Sequence, residues 1–166
     1  MIRNNFNGTD VSMLGLGMMR LPCIENNDGL IDEAEVCRMV DYAIEHGVNY
    51  FDTAWMYHRG TGEEVSGRCL NRHKRSDFLL ASKFPGQLPE VINAVEKTFE
   101  TQIARCNVDF FDFYLLHNVY EQKSGLLSRR CSIRYCFLSV QAESCRQNTP
   151  SGIFHAWNAG NCKKVP

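Results

Sequence analysis

The sequence predicts an α/β protein built on a parallel sheet, and three observations support this prediction. Four short, largely apolar runs begin near residues 12, 48, 78 and 108, about 30 to 36 residues apart. Stretches with helical spacing separate these runs, which is the period of βα units joined by right-handed parallel connections. Two of the runs are almost continuously apolar, which is typical of strands that are covered on both faces of a sheet.

The N-terminal part of the chain supplies a cap and the first strand. Residues 2–11 contain Asn7-Gly8, a dipeptide typical of tight hairpin turns, and predict a small hairpin at one end of the structure. The apolar run 12–17 (SMLGLG), which is closed by glycine, predicts the first core strand.

Three segments predict helices between the strands. Residues 32–46 have apolar positions at helical spacing and acidic residues in the first turn, and Gly47 follows as a stop signal. A shorter helix is predicted over 63–70, and an apolar stripe that begins after Pro89 predicts a helix over 89–105. The remaining strands are predicted over 48–53, 78–84 and 108–116.

The βα pattern stops at residue 121, and the composition changes there too. Residues 1–122 hold 11 Lys and Arg against 18 Asp and Glu, whereas residues 123–166 hold 7 against 1. Four of the eight cysteines also lie in the last 36 residues. We therefore predict two regions, 1–121 with the repeat and 122–166 as an irregular tail. Two interpretations of the tail are open: an irregular extension, or a frameshifted or mis-joined end.

Composition excludes several classes of function. The net charge of −1 gives no overall attraction to nucleic acid or anionic lipid. No apolar run is long enough to span a membrane, and the polar N-terminus lacks the apolar stretch of a signal peptide, which predicts a cytoplasmic protein. The cysteines form no C-x-x-C pair and no common zinc or iron–sulfur spacing, so we predict unpaired thiols and no metal.

Polar residues lie at the ends of three predicted strands. Asp52, Lys83 and His117 end the second, third and fourth strands, and Tyr57 follows Asp52 by five residues. In parallel α/β proteins this edge of the sheet is where active sites form. Each residue alone also has an ordinary structural interpretation: a cap, a solvated strand end, a structural histidine, or loop packing. Trp55 is interpreted in two ways, as a wall of a substrate pocket or as loop packing.

The chemistry of these four residues fits together. A Lys83 ammonium beside Tyr57 favours the phenolate, and Asp52 would keep the lysine charged and oriented. Tyr57 can then give a proton to a developing alkoxide, while His117 positions the carbonyl oxygen by a hydrogen bond. This set suits carbonyl reduction with a separate hydride donor.

A neighbouring glycine-containing segment has a different interpretation. Residues 59–64 (RGTGEE) suggest a phosphate loop but lack its lysine and its preceding strand, so we interpret them as a turn that leads into a helix. His58, just before this segment, is predicted to be an exposed loop residue.

Four motifs in order resemble the aldo-keto reductases. They are 15–22 (GLGMMRLP), 47–54 (GVNYFDTA) with Tyr57, 81–84 (ASKF) and 113–118 (FYLLHN). The resemblance extends over about residues 2–121, roughly 70% of the chain. It implies a TIM (β/α)8 barrel, of which residues 1–121 would form the first half, because such a barrel needs about 250 residues.

The resemblance also implies site residues and a cofactor. It assigns Asp52 and Lys83 to tuning, Tyr57 to general acid catalysis and His117 to substrate orientation, with NADP(H) as hydride donor and an aldehyde or ketone as substrate. Three residues fall in the loop after the first strand, where family members line the substrate and nicotinamide pocket: Met18, Met19 and Arg20. Asp52 would border the cofactor as well.

The missing half of the barrel leaves alternatives open. In the family, much of the NADP(H) site comes from later strands and from the loops after strands seven and eight, so the resemblance implies that most of that site lies outside this sequence. The leading hypothesis is a truncated NADPH-dependent carbonyl reductase. The alternative is a catalytically inactive half-barrel that binds a partner or self-associates through its open sheet edges.

Overall fold

A computed structural model of the chain describes residues 1–6, 8–91 and 94–118, so the predicted tail over 122–166 lies outside the described residues. The strands are β1 Arg3–Phe6, β2 Thr9–Ser12, β3 Gly15–Gly17, β4 Tyr50–Asp52, β5 Leu79–Phe84 and β6 Phe113–Leu116. The helices are α1 Glu33–Glu45, α2 Gly62–Leu70 and α3 Val95–Cys106. Short 3-10 turns lie at Met18–Arg20, Ile24–Asn26, Tyr57–Gly60 and Arg75–Asp77.

A four-stranded parallel sheet forms the centre of the structure. Its strands follow one another in sequence order, β3-β4-β5-β6, and one helix lies between each pair along the chain. The register sets Gly17 beside Asp52, and Lys83 beside Leu115. This confirms the predicted parallel βα repeat and brings the carboxyl ends of all four strands to one edge.

The N-terminal residues form the predicted hairpin at the opposite edge. β1 and β2 are antiparallel, and Gly8 turns the chain between them with φ of 85°. Ser12 and Asn49 exchange two hydrogen bonds, in which each backbone N–H donates to the side-chain oxygen of the other at 2.8 and 3.0 Å. The hairpin is therefore tied to the segment that enters β4.

The boundaries of three predicted elements were wrong. The helix predicted from residue 89 begins at Val95, because i+3 turns bridge Pro85, Leu88, Val91 and Ala94 instead. The strand predicted from residue 108 begins at Phe113, since left-handed Asn107 ends α3 and an irregular segment follows. In the predicted strand 12–17, Ser12 belongs to the hairpin and the parallel ladder begins at residue 15.

The core lies between the sheet and its helices. Alternation along β5 points Leu80, Ser82 and Phe84 towards the helices, where all three are fully buried. Lys83 therefore points to the other face, which no helix of the described part covers. None of the helices among the described residues is long and apolar enough to cross a membrane.

Candidate active site

Lys83 binds three oxygen atoms at the carboxyl edge of the sheet. Its Nζ donates to Asp52 Oδ1, to the backbone oxygen of Thr53 at 2.8 Å, and to the Tyr57 hydroxyl at 3.0 Å. A lysine ammonium has three N–H bonds, and these partners use all of them. The Tyr57 oxygen is therefore an acceptor from Lys83, which leaves the phenol's own proton available to another acceptor.

Asp52 compensates the lysine charge in a partly desolvated place. The Lys83 and Asp52 side chains are 14% and 25% exposed, so an unpaired charge here would be unfavourable. The Lys83 Nζ also lies 4.8 Å from the centre of the Tyr57 ring. The positive charge is thus held against the phenol ring of Tyr57.

His117 completes the group from the end of β6. Its backbone N–H donates to the Phe84 oxygen at 3.0 Å, and its ring meets the Tyr57 ring edge-on with centroids 5.8 Å apart. Burial lowers the pKa of His117, and the Lys83 charge lowers it further against an opposing effect of Asp52. Nδ1 of this neutral ring has no hydrogen-bond partner among the described residues. Because Nδ1 is buried, a ligand in the site would meet the ring at Nε2, which carries the single proton in one of the two neutral tautomers.

An open cavity of about 490 Å³ lies above these residues. It is lined by Met19, Met56, Tyr57, Lys83, Leu115, Leu116, His117 and Asn118. Apolar walls with a few converging polar groups, at this volume, are typical of sites for small organic ligands. The structure thus brings together the three residues predicted at strand ends and Tyr57 of the following loop, and their catalytic roles stay predictions.

The remaining predicted pocket residues have different surroundings. Of the three in the loop after the first strand, Met19 lines the cavity, Met18 is fully buried in the core, and Arg20 is exposed. Trp55 does not line this cavity: it packs beside Phe84, and the Arg105 guanidinium lies 3.9 Å above its ring. The surroundings of Trp55 match the loop-packing interpretation.

His58 is buried, so its prediction as an exposed loop residue was wrong. Its exposed fraction is 3%, and its Nε2 accepts a hydrogen bond of 3.0 Å from the Leu21 backbone N–H. Its Nδ1 lies 3.0 Å from Asp28 Oδ1. No local sequence pattern indicates these contacts, because they join two loops that only the fold brings together.

A buried polar network supports the strand that carries Lys83. Glu63 of α2 is fully buried and accepts hydrogen bonds from Ser82 Oγ at 2.7 Å and Gln102 Nε2 at 2.5 Å. Gln102 also lies within 3.2 Å of the Lys83 backbone oxygen. Burial raises the pKa of Glu63 against the opposing hydrogen bonds. Residues 59–61 thus form a turn that leads into α2, as predicted, but Glu63 in the first turn of the helix is an interior residue.

Comparisons with known proteins agree with this geometry. The model of the family described as "Aldo/keto reductase family" matches residues 13–159. The uncharacterized oxidoreductase YqkF of Bacillus subtilis is 30% identical over 117 residues, which cover 65% of this chain and 35% of that protein. The methylglyoxal reductase YeaE of Escherichia coli is 33% identical over 110 residues, which cover 61% and 37%.

Solved structures show the same fold. An aldo-keto reductase from Klebsiella pneumoniae, solved in complex with NADPH, superimposes with a TM-score of 0.56 at 22% identity. The match covers 78% of this chain and 47% of that one. The four-stranded parallel sheet of the described residues therefore corresponds to part of a TIM barrel.

The chain spans only about 35–37% of the length of the two curated relatives. The family match runs past residue 121, so the predicted boundary there and the origin of residues 122–166 stay predictions. Because the family model matches well over half of the sequence, and the parallel βα sheet agrees with it, the chain belongs to the aldo/keto reductase family.

Proposed function

We propose that this chain carries the proton-donating part of a carbonyl reductase that converts an aldehyde or ketone to an alcohol with NADPH. One observation supports this most directly: the Tyr57 hydroxyl accepts from Lys83 and borders an open cavity beside His117. A phenol held in this way has its proton free for a ligand in the cavity. The methylglyoxal reductase among the relatives supports a small carbonyl compound as substrate.

Each residue of the site has a separate role in the transfer of a proton to the substrate. The neutral His117 ring donates a hydrogen bond that orients the carbonyl oxygen towards Tyr57. Tyr57 transfers its proton to that oxygen as negative charge develops there. Lys83 stabilises the phenolate that remains, and Asp52 holds the ammonium in place throughout.

NADP(H), when bound, supplies the hydride. The described residues that fit its nicotinamide end are the apolar cavity walls formed by Met19, Leu115 and Leu116, next to the polar group of Tyr57 and His117. We propose that the rest of the cofactor site comes from barrel segments that the described residues do not include.

A single substitution tests this proposal. Tyr57→Phe should lower NADPH-dependent reduction of methylglyoxal by about 10²–10⁴-fold, because it removes the proton donor. NADPH affinity, followed by the fluorescence change on binding, should stay the same, because the ring is retained. Tyr42→Phe, at an exposed tyrosine of α1, is the matched control and should leave the rate unchanged. A wild-type chain that shows no NADPH binding at millimolar concentration would contradict the proposal.

One observation favours a second candidate function, a non-catalytic module that self-associates. Leu115 and Leu116 of β6 are 39% and 37% exposed, and within the described residues β6 pairs only with β5. An unpaired strand edge with exposed apolar side chains on the same strand favours pairing with another strand. The cytoplasmic location expected from the sequence stays a prediction.

A further inference from the structure

The buried His58 side chain joins the two loops that border the cavity. Its Nε2 lies 3.0 Å from the backbone nitrogen of Leu21, the residue directly after the turn that carries Met19. Its Nδ1 lies 3.0 Å from Asp28 Oδ1 and 3.2 Å from the Asp28 backbone oxygen. His58 itself directly follows Tyr57. One imidazole thus links a wall of the cavity to the proposed proton donor.

The hydrogen bonds fix which ring nitrogen carries the proton. A backbone N–H can only donate, so Nε2 of His58 must present its lone pair to Leu21. The single proton of a neutral ring is then on Nδ1, where the two Asp28 oxygens accept it. Both nitrogens therefore have partners suited to one tautomer, and the ring has one defined orientation.

The same tautomer argues against a metal ion at this place. Cys23 Sγ, an Asp28 carboxylate oxygen and a His58 nitrogen lie within 4.8 Å of one another, which resembles a three-ligand cation site. A metal at Nδ1 would need the lone pair that the proton occupies. It would also leave Nε2 as an N–H facing the Leu21 N–H, donor against donor. The Leu21 contact therefore favours a hydrogen-bonded histidine.

The backbone of this loop is held in an unfavourable conformation. His58 and Arg59 have φ values of 51° and 55°, in the left-handed region that side chains other than glycine rarely adopt. Such residues persist where their surroundings determine them. The His58 backbone oxygen also accepts from the Thr61 N–H at 3.1 Å and the Thr61 hydroxyl at 2.8 Å. Side chain and backbone of His58 thus both fix the course of the chain directly after Tyr57.

We propose that His58 is a positioning residue: through Leu21 and Asp28 it holds the Tyr57 hydroxyl against Lys83 and at a fixed distance from the Met19 wall. Its effect on turnover rests on the proposed function. Its effect on the geometry of Tyr57 does not.

The tautomer is the first test. Long-range ¹H–¹⁵N spectra of the histidine rings, with His58 assigned by its absence in His58→Gln, should show a proton on Nδ1 and none on Nε2. Addition of Zn²⁺ should leave these signals unchanged. A proton on Nε2, or a Zn²⁺-dependent shift that Cys23→Ala abolishes, would overturn the proposal in favour of a metal site.

The second test follows Tyr57 itself through the ¹³Cζ resonance of its ring, assigned with Tyr57→Phe. His58→Leu should shift this resonance, because the hydroxyl moves relative to Lys83. His58→Gln should return it towards the wild-type position, since its Oε1 can accept from Leu21. His46→Leu, at an exposed histidine, is the matched control and should have no effect.

A third variant covers the case in which His58→Leu does not fold. The Asp28 side chain is 59% exposed, so Asp28→Ala should fold while it loses one of the His58 bonds. It should shift the Tyr57 resonance in the same direction by a smaller amount. An unchanged Tyr57 resonance in every folded variant would overturn the proposal.

Turnover separates this inference from the proposed function. In an active chain, His58→Leu should lower kcat on the order of tenfold to a hundredfold, the loss typical of a misplaced catalytic group, with NADPH affinity unchanged. His58→Gln should recover most of that loss. If the wild-type chain is inactive but the resonance shifts as described, the proposed function fails and the positioning role stands.

Discussion

The Lys83 ammonium is the centre of the proposed site. Its three N–H bonds go to Asp52, to the Thr53 backbone and to Tyr57, so each partner restricts where the others can be. Asp52 and Lys83 are on neighbouring strands, and the register fixes their separation. Tyr57 comes from a loop, and its place depends on the turn that His58 stabilises.

His117 gives a prediction about pH. Burial and Lys83 lower its folded pKa below the ordinary 6.5. Below pH 6.5 the unfolded chain therefore binds a proton that the folded chain does not, and the free energy of unfolding falls as pH falls. We expect the wild type to lose stability from pH 6.5 downwards more steeply than His117→Asn does.

Denaturant unfolding of both proteins between pH 5 and pH 8 measures this difference. Buried acids such as Glu63 and Asp112, whose pKa values burial raises, act in both proteins and cancel in the comparison. Parallel stability curves for the two proteins would contradict the prediction.

At the scale of elements, the sheet edge is held by the contact between α2 and α3. Gly67 of α2 lies against the backbone of Cys106, where α3 ends. The buried Glu63 and Gln102 connect the same two helices to Ser82 of β5. The close approach of the α2 and α3 backbones, together with the hydrogen bonds among these buried side chains, holds β5, the strand that carries Lys83, in place.

Gly67→Ala tests this packing. In an exposed helix this change stabilises by about 1 kcal/mol. Here a Cβ would lie 2.3 Å from the Cys106 backbone oxygen, so the helices must separate. We expect a net loss of about 1–3 kcal/mol in the free energy of unfolding by denaturant.

Glu64→Ala is the matched control, since Glu64 is exposed on the same helix. The acidic Glu64 side chain is favourable in the first turn of α2, so its removal should lower the free energy of unfolding by no more than about 1 kcal/mol. A Gly67→Ala protein with the same free energy of unfolding as the wild type would contradict the prediction, because the α2–α3 contact would then accept a Cβ without loss of stability.

At the scale of the whole molecule, the described part is a parallel sheet with two edges. β3 and β6 each have one strand neighbour within the described residues. Four residues, Asp52, Tyr57, Lys83 and His117 (the tetrad), lie on the side of the sheet opposite its helices. In a full barrel this face would be interior, which explains why polar catalytic groups and the exposed Leu115, the register partner of Lys83, occur on it together.

The open edge predicts association of the isolated chain. Sedimentation should show a weight-average mass that rises with protein concentration, because exposed apolar strand edges favour pairing. Leu115→Lys should reduce this rise by adding charge at the β6 edge. Ile2→Lys is the matched control, since Ile2 is 76% exposed beside the hairpin, which is tied to the segment that enters β4. A strictly monomeric wild type over the whole range would contradict the prediction.

Local sequence determined the βα repeat and the places of the four polar residues. Apolar periodicity gave α1, β4 and β5 nearly to the residue, because core burial depends on that periodicity. Once the strands were placed, Asp52, Lys83 and His117 followed as their end residues. The true starts of α3 and β6 could not be predicted from the apolar pattern. Turns replace the helix that this pattern predicts from residue 89, and left-handed Asn107 precedes an irregular segment where it predicts a strand from residue 108.

Only the tertiary structure decided what surrounds the tetrad. The burial of His58 and Glu63 depends on partners 19 to 39 residues away, and nothing in the local sequence pattern encodes those distances. The same holds for Trp55, whose packing under Arg105 places it away from the cavity lining. Residue type and spacing fix which groups reach the sheet edge, whereas long-range contacts fix the orientation that their chemistry requires.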